Sequence, residues 1–161
     1  MSLVAEHSAT ELRAAAQRQI AATPPDGRTS SWELVAMATA YRHYAVQQPG
    51  LYAALVTDTT RSGWANQQGS ARKALWELLL QVVGRLTEHP DDTGAAVAVW
   101  SFLHGFVHLH AARLFGASGP RDGFERGVAA LANGLRASAT IAAPRRERHP
   151  PVNPVAEAPR P

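Results

Sequence analysis

Trp100, His104 and His108 recur every four residues, so a helix that carries them sets an indole and two imidazoles along one face. Two uses of that row follow from its chemistry. In the first, His104 hydrogen-bonds a small molecule while Trp100 supplies a stacking wall. In the second, His104 bonds to a neighbouring helix, Trp100 fills a core, and the following Gly105 lets helices pack closely. His104 and His108 also have the spacing for joint metal ligation from consecutive turns. His110 points elsewhere on the same helix, no Asp or Glu nearby completes a set, and no H-E-x-x-H pattern occurs. No metal and no cofactor are therefore expected.

Four further aromatics, Tyr41, Tyr44, Tyr52 and Trp76, combine a broad apolar body with a polar tip. Each suits a core position alone. Together with Trp100, His104 and His108 they suit the wall of a cavity for an uncharged lipophilic or aromatic molecule. Catalysis is not expected: there is no G-x-S-x-G, no Gly-rich phosphate loop and no pair of carboxylates on an apolar face. Asp91 and Asp92 stand where a helix starts, and capping explains them.

The elements that must position these side chains are all helices. No sustained apolar/polar alternation bounded by turns occurs, which strands would require. The periodicity predicts an all-α bundle of about six helices. The first runs from about Val4 to Ala22, with Leu12, Ala16 and Ile20 at four-residue spacing and Pro24-Pro25-Asp26-Gly27 as a stop. The second starts at Ser30, with Glu33 at capping-box spacing, carries Leu34, Met37, Tyr41 and Tyr44, and ends before Pro49. A short third helix is expected from Pro49 to about Val56, with a polar loop over 57–63. The fourth starts near Trp64 or Ser70 and runs to about Glu88 on a Leu75, Leu79, Val82, Leu86 stripe. The fifth covers roughly Asp92 to Phe115 and the last roughly Arg121 to Ile141.

The fifth helix is apolar nearly all the way round, so it must be buried on more than one side. One solution is a monomer in which it is wrapped by its neighbours. The other is a homodimer in which the last two helices of each copy form a four-helix interface. In the second case Phe102, Phe106, Phe124, Val128, Leu131 and Leu135 are the expected interface residues. Gly127, Ala130 and Gly134 put small side chains beside the Phe124 stripe and permit close approach.

The totals fit one domain with a real core, over residues 1–142. There is no cysteine, which excludes disulfides, Cys-ligated zinc and thiol catalysis, and fits a reducing, cytoplasmic setting. No apolar run approaches membrane-spanning length, and no cationic segment is followed by an apolar one as in a secretory leader. The net charge is +3. Arg145, Arg146, Arg148 and Arg160 against Glu147 and Glu157 place +2 of this beyond Pro144, so the body lacks the clustered basic face that phosphate binding needs. The segment 143–161 is Pro- and Arg-rich and is expected to be a disordered tail.

Trp100-Ser-Phe-Leu-His104-Gly105 resembles the W-x-x-x-H-G signature of one group of TetR-family C-terminal domains. Gln48-Pro49-Gly50-Leu51-Tyr52 resembles the turn that precedes it in that group, and Tyr41-Arg42-His43-Tyr44-Ala45 the helix leading into that turn. Phe124-Glu125-Arg126-Gly127-Val128 with Asn133-Gly134-Leu135 resembles the group's last helix, and Leu3 to His7 with Glu11-Leu12 its connecting helix. The resemblance implies an all-α domain enclosing a ligand cavity. It also implies dimerisation through the last two helices, and ligand control over N-terminal helix-turn-helix units that read DNA. That three-helix unit is expected before Leu3 and is absent from this sequence, so no residue here is assigned to DNA. The implied function is the ligand-sensing and dimerisation domain of a TetR-like repressor, not an enzyme. The alternatives are a dimeric helical interaction module without ligand and, third, a His-dependent metal-binding enzyme.

Overall fold

A computed structural model describes residues 3–24, 31–62 and 70–142. Among them are six α-helices and no strand: α1 Leu3–Ala22, α2 Trp32–Gln47, α3 Pro49–Ser62, α4 Ala71–Thr87, α5 Thr93–Ala111 and α6 Gly123–Ala142. No helix among the described residues is long and apolar enough to cross a membrane. Ser30, Trp64 and the tail 143–161 lie outside the described residues.

The centre of the bundle is α2, which packs against all five other helices. Its sequence explains that position: Ala36, Ala38, Ala40 and Ala45 alternate with Leu34, Met37, Tyr41 and Tyr44, all buried. The small side chains let helices approach from several directions while the large ones fill the gaps. α1 lies across α2, α3 and α4, and α6 closes the other side against α2, α4 and α5. Three polar ties fix these crossings. The Ser8 hydroxyl donates to the Leu51 carbonyl at 3.0 Å, joining α1 to α3. Arg42 pairs with Glu125 at 2.7 Å and lies over the Phe124 ring at 5.1 Å, joining α2 to α6. Arg85 of α4 donates to the Glu33 carboxylate of α2.

The caps follow simple chemistry. Ser70 accepts from the Lys73 N–H at 3.1 Å and Asp92 from the Ala95 N–H at 2.9 Å, so each satisfies a free donor of the first turn. α2 begins at Trp32, two residues after Ser30, with Ser31 at the N-cap making no side-chain cap bond, and Glu33 reaches Arg85 instead of closing a capping box. α3 continues six residues past Val56, to Ser62, since polar Thr and Asp do not by themselves end a helix. α5 stops at Ala111, four residues before Phe115. Arg113 adopts a left-handed φ of 57°, and Phe115 folds back onto Phe106 with ring centroids 5.0 Å apart.

Gly84 marks a close approach of backbone to backbone. After α4 the chain folds back so closely that a Cβ at Gly84 would stand 2.9 Å from the His89 carbonyl oxygen and 3.0 Å from Pro90. Both neighbours are backbone and cannot turn aside. Gly84→Ala is expected to lower stability by about 2 kcal/mol in urea unfolding, although alanine is the better helix former. An unchanged midpoint would contradict this packing.

Candidate functional site

α1, α2, α4 and α5 converge on a small apolar cavity of about 10 Å³, the space of a single water-sized sphere. Leu12 and Ala16 of α1, Met37 and Tyr41 of α2, Leu75, Trp76 and Leu79 of α4, and Trp100 and Leu103 of α5 line it. No lining side chain carries a charge. Three of the seven residues expected at a ligand site, Tyr41, Trp76 and Trp100, are thus on its wall.

Behind the Tyr41 wall lies a chain of polar groups from three helices. The Tyr41 and Tyr52 hydroxyls are 2.9 Å apart, and the Tyr52 hydroxyl is 2.6 Å from His104 Nδ1. The rings hold one another as well. Tyr41 meets Tyr52 and Trp100 edge-on at 5.7 and 5.5 Å, and Trp100 stacks over His104 at 6.3 Å with planes 4° apart. His108 follows, its ring 6.1 Å from that of His104, on the exposed side of α5.

The direction of the protons follows from burial. His104 is held below the ordinary histidine value, first by burial and then by the nearby His108, so the ring is neutral at pH 7. Burial raises the Tyr41 and Tyr52 hydroxyls, which stay protonated. A neutral ring with Nδ1 unprotonated accepts a hydrogen bond from the Tyr52 hydroxyl, and Tyr41 then donates to Tyr52. The opposite tautomer would leave the Tyr41 hydrogen without an acceptor in the core. The relay therefore runs Tyr41 to Tyr52 to His104. It turns the Tyr41 hydroxyl toward Tyr52 and leaves the ring as a wall.

Because the folded value of His104 lies below the unfolded one, near 6.5, the unfolded chain binds this proton more readily. The contribution is complete above that unfolded value and is lost as pH falls through the folded one. His104→Gln is expected to flatten this part of the stability-pH curve, read by urea unfolding between pH 5 and 7. An identical curve for the variant would contradict the assignment.

Tyr52 and His104 stand behind the wall, and two further expected residues stand apart from both cavity and relay. Tyr44 is buried, but its hydroxyl reaches Glu11 of α1 at 3.5 Å. His108 is exposed and does not line the cavity. Conversely, Leu12, Ala16, Met37, Leu75, Leu79 and Leu103 line it without having been expected there. Their helical spacing marks them as buried, but only the packing tells which of them border a void.

The residues expected at a dimer interface divide. Phe124 and Val128 are 3% and 4% exposed within the single chain, where α6 packs on the core. Phe102, Phe106, Leu131 and Leu135 are half-buried around them. Phe102 lies over Gly127, where an added Cβ would meet its ring at 2.3 Å, and this close approach joins α5 to α6. Elsewhere on these two helices further residues, most of them small, are exposed. Ala98, Ser101 and Leu109 of α5 are exposed, Leu109 to 41%, and so are Ala130 and Gly134 of α6. Gly105 and Gly134 have no atom within 4 Å of where a Cβ would stand. No Asp, Glu, Lys or Arg occurs anywhere in α5.

Among the described residues no group of three or more metal-ligating side chains occurs, so His104 and His108 stand as a pair. A family model described as tetracyclin repressor-like, C-terminal domain, matches residues 34–131, more than half of the chain. No curated protein and no solved structure matches.

Proposed function

The chain belongs to the tetracycline-repressor-like C-terminal domains, and we propose that it is the ligand-sensing and dimerising part of a repressor of that type. Membership points to a regulatory rather than a catalytic role. Within the family, Trp100, His104 and Gly105 argue for the W-x-x-x-H-G group. The observation that carries the reading is the cavity at the meeting of four helices, walled by Tyr41, Trp76 and Trp100. Its lining suits a small lipophilic or aromatic molecule. The Tyr41–Tyr52–His104 relay gives the site one rigid side, which favours a defined binding geometry.

Two copies would join through the open, uncharged strip of Ala98, Ser101, Gly105 and Leu109 with Ala130 and Gly134. Small residues there allow helices of a partner to come close, and apolar Leu109 gains from being covered. Phe102, Phe106, Leu131 and Leu135 would form its margin. Coupling would run through α1. Leu12 and Ala16 belong to the cavity wall, so a ligand that widens the cavity favours a different seat for α1. In the whole regulator α1 would connect to the helix-turn-helix unit that reads DNA, in the cytoplasm.

The test is a titration of isotope-labelled protein with lipophilic compounds, followed by NMR. Binding in the cavity must move the indole signal of Trp100, the ring signals of Tyr41 and the amides of α1 around Leu12 and Ala16. Compounds that bind yet leave all three unmoved would contradict the reading.

A further inference from the structure

The geometry points to an opening of this cavity between Trp76 and Trp100, and to an uncharged, flat aromatic molecule of one or two rings as the ligand that passes it. The inference rests on the ligand-sensing reading of the same cavity. Of the nine lining residues seven are buried, whereas Trp76 of α4 and Trp100 of α5 keep part of their surface exposed. Among the described residues, the cavity is therefore closest to solvent at its two indoles, one from each of two packed helices.

Size supplies the second step. About 10 Å³ holds no organic molecule, and an apolar cavity on the order of 150 Å³ is what takes up benzene. The difference has to come from the wall. The buried leucines move only together with the helices that carry them, because a close-packed interior does not yield gradually. A side chain that is already partly exposed can turn outward without unwinding a helix. The space an indole vacates is flat and two fused rings across, and a molecule of that outline restores the lost contacts. Trp100 is already held edge-on by Tyr41 and stacked on His104, so an aromatic plane is what this wall is shaped to meet.

Charge supplies the third step. The lining offers no ionised group, and the hydroxyl nearest to it, that of Tyr41, is bonded to Tyr52. An ionised ligand would lose its hydration and gain no counter-charge. The site thus discriminates against acids and amines of the same outline.

The experiment uses the full chain and three probes of one shape: naphthalene, 1-naphthoate and 1-naphthylmethylammonium. Kd and association rate are measured for wild type, Trp76→Ala and Trp100→Ala, with helix content checked by circular dichroism. Naphthalene is expected to bind wild type at least about tenfold more tightly than either ion. In at least one alanine variant its affinity should rise about tenfold, since the closed wall no longer competes with it. Should an alanine variant not fold, Trp76→Phe and Trp100→Phe serve, with a smaller ratio in the same direction. Equal binding of the naphthoate or the ammonium would overturn the uncharged class while leaving the ligand-sensing reading in place. Unchanged affinity and rate in both folded variants would overturn the opening. If neither wild type nor variant binds naphthalene, the inference falls, and a chemically broader screen decides the ligand-sensing reading separately.

Discussion

Glu6→Ala is expected to destabilise the domain by about 3 kcal/mol, a loss of roughly 10 °C in Tm for a chain of this size. Glu6 lies in the first turn of α1, yet its effect is on α4. One carboxylate oxygen accepts the Ala71 N–H at 2.7 Å, at the start of α4. The other lies 3.5 Å from Nε of Arg72, whose side chain is only 3% exposed, and has no hydrogen-bond partner of its own among the described residues. The same charge thus answers a helix N-terminus and a buried guanidinium. Alanine leaves the guanidinium in the interior without that counter-charge, which is where the cost arises. Glu6→Gln keeps an acceptor for Ala71 and should lose about half as much. Glu6→Leu with Arg72→Met removes both charges and should recover most of the loss. Urea unfolding of the four proteins tests this, and a double variant as unstable as Glu6→Ala would contradict it.

Ser101→Glu and Gly134→Leu are expected to weaken self-association on the order of a hundredfold while leaving the folded monomer intact. Both positions are exposed in the single chain, and Gly134 faces open space. Judged on the isolated chain, Gly134→Leu should even stabilise its helix by up to about 1 kcal/mol, because glycine is a poor helix former. Weaker association together with a more stable monomer therefore separates an interface from a mere surface. Phe124→Glu serves as the contrast. That side chain is buried, and the charge should unfold the domain rather than split a dimer. Sedimentation velocity over a range of concentrations reads all three. A wild type that stays monomeric throughout would remove the strip from the account.

The helices were legible because their signals are local. The Leu75, Leu79, Val82, Leu86 stripe, the Asp92 cap and the Pro49 boundary each depend on a few neighbouring residues, and each stands in the structure as expected. The two misplaced ends have local causes of another kind. α3 runs on through polar residues, and α5 stops at a left-handed Arg113, a conformation that arginine gives no warning of. The site was legible only as a set of residue types. Tyr41, Tyr52 and His104 were named as candidates, but their hydrogen-bonded order depends on how α2, α3 and α5 cross. Periodicity marked Phe124 and Val128 as buried without saying against what, and the packing of α6 on the core supplies that. The Glu6–Arg72 pair joins residues far apart in sequence, and no pattern announced it.

The central claim is that the cavity between α1, α2, α4 and α5 is a binding site. Ala16 is buried on its wall, so Ala16→Leu overfills the cavity from the α1 side, and circular dichroism checks that the variant still folds. The most direct test is one thermal-denaturation screen of lipophilic compounds, run in parallel on wild type and Ala16→Leu. Compounds that bind the native state must raise Tm by mass action. Compounds are expected that raise the Tm of wild type and lose that effect in the variant. A screen in which nothing stabilises wild type, or in which the same compounds stabilise both proteins equally, would contradict it and favour a helical interaction module.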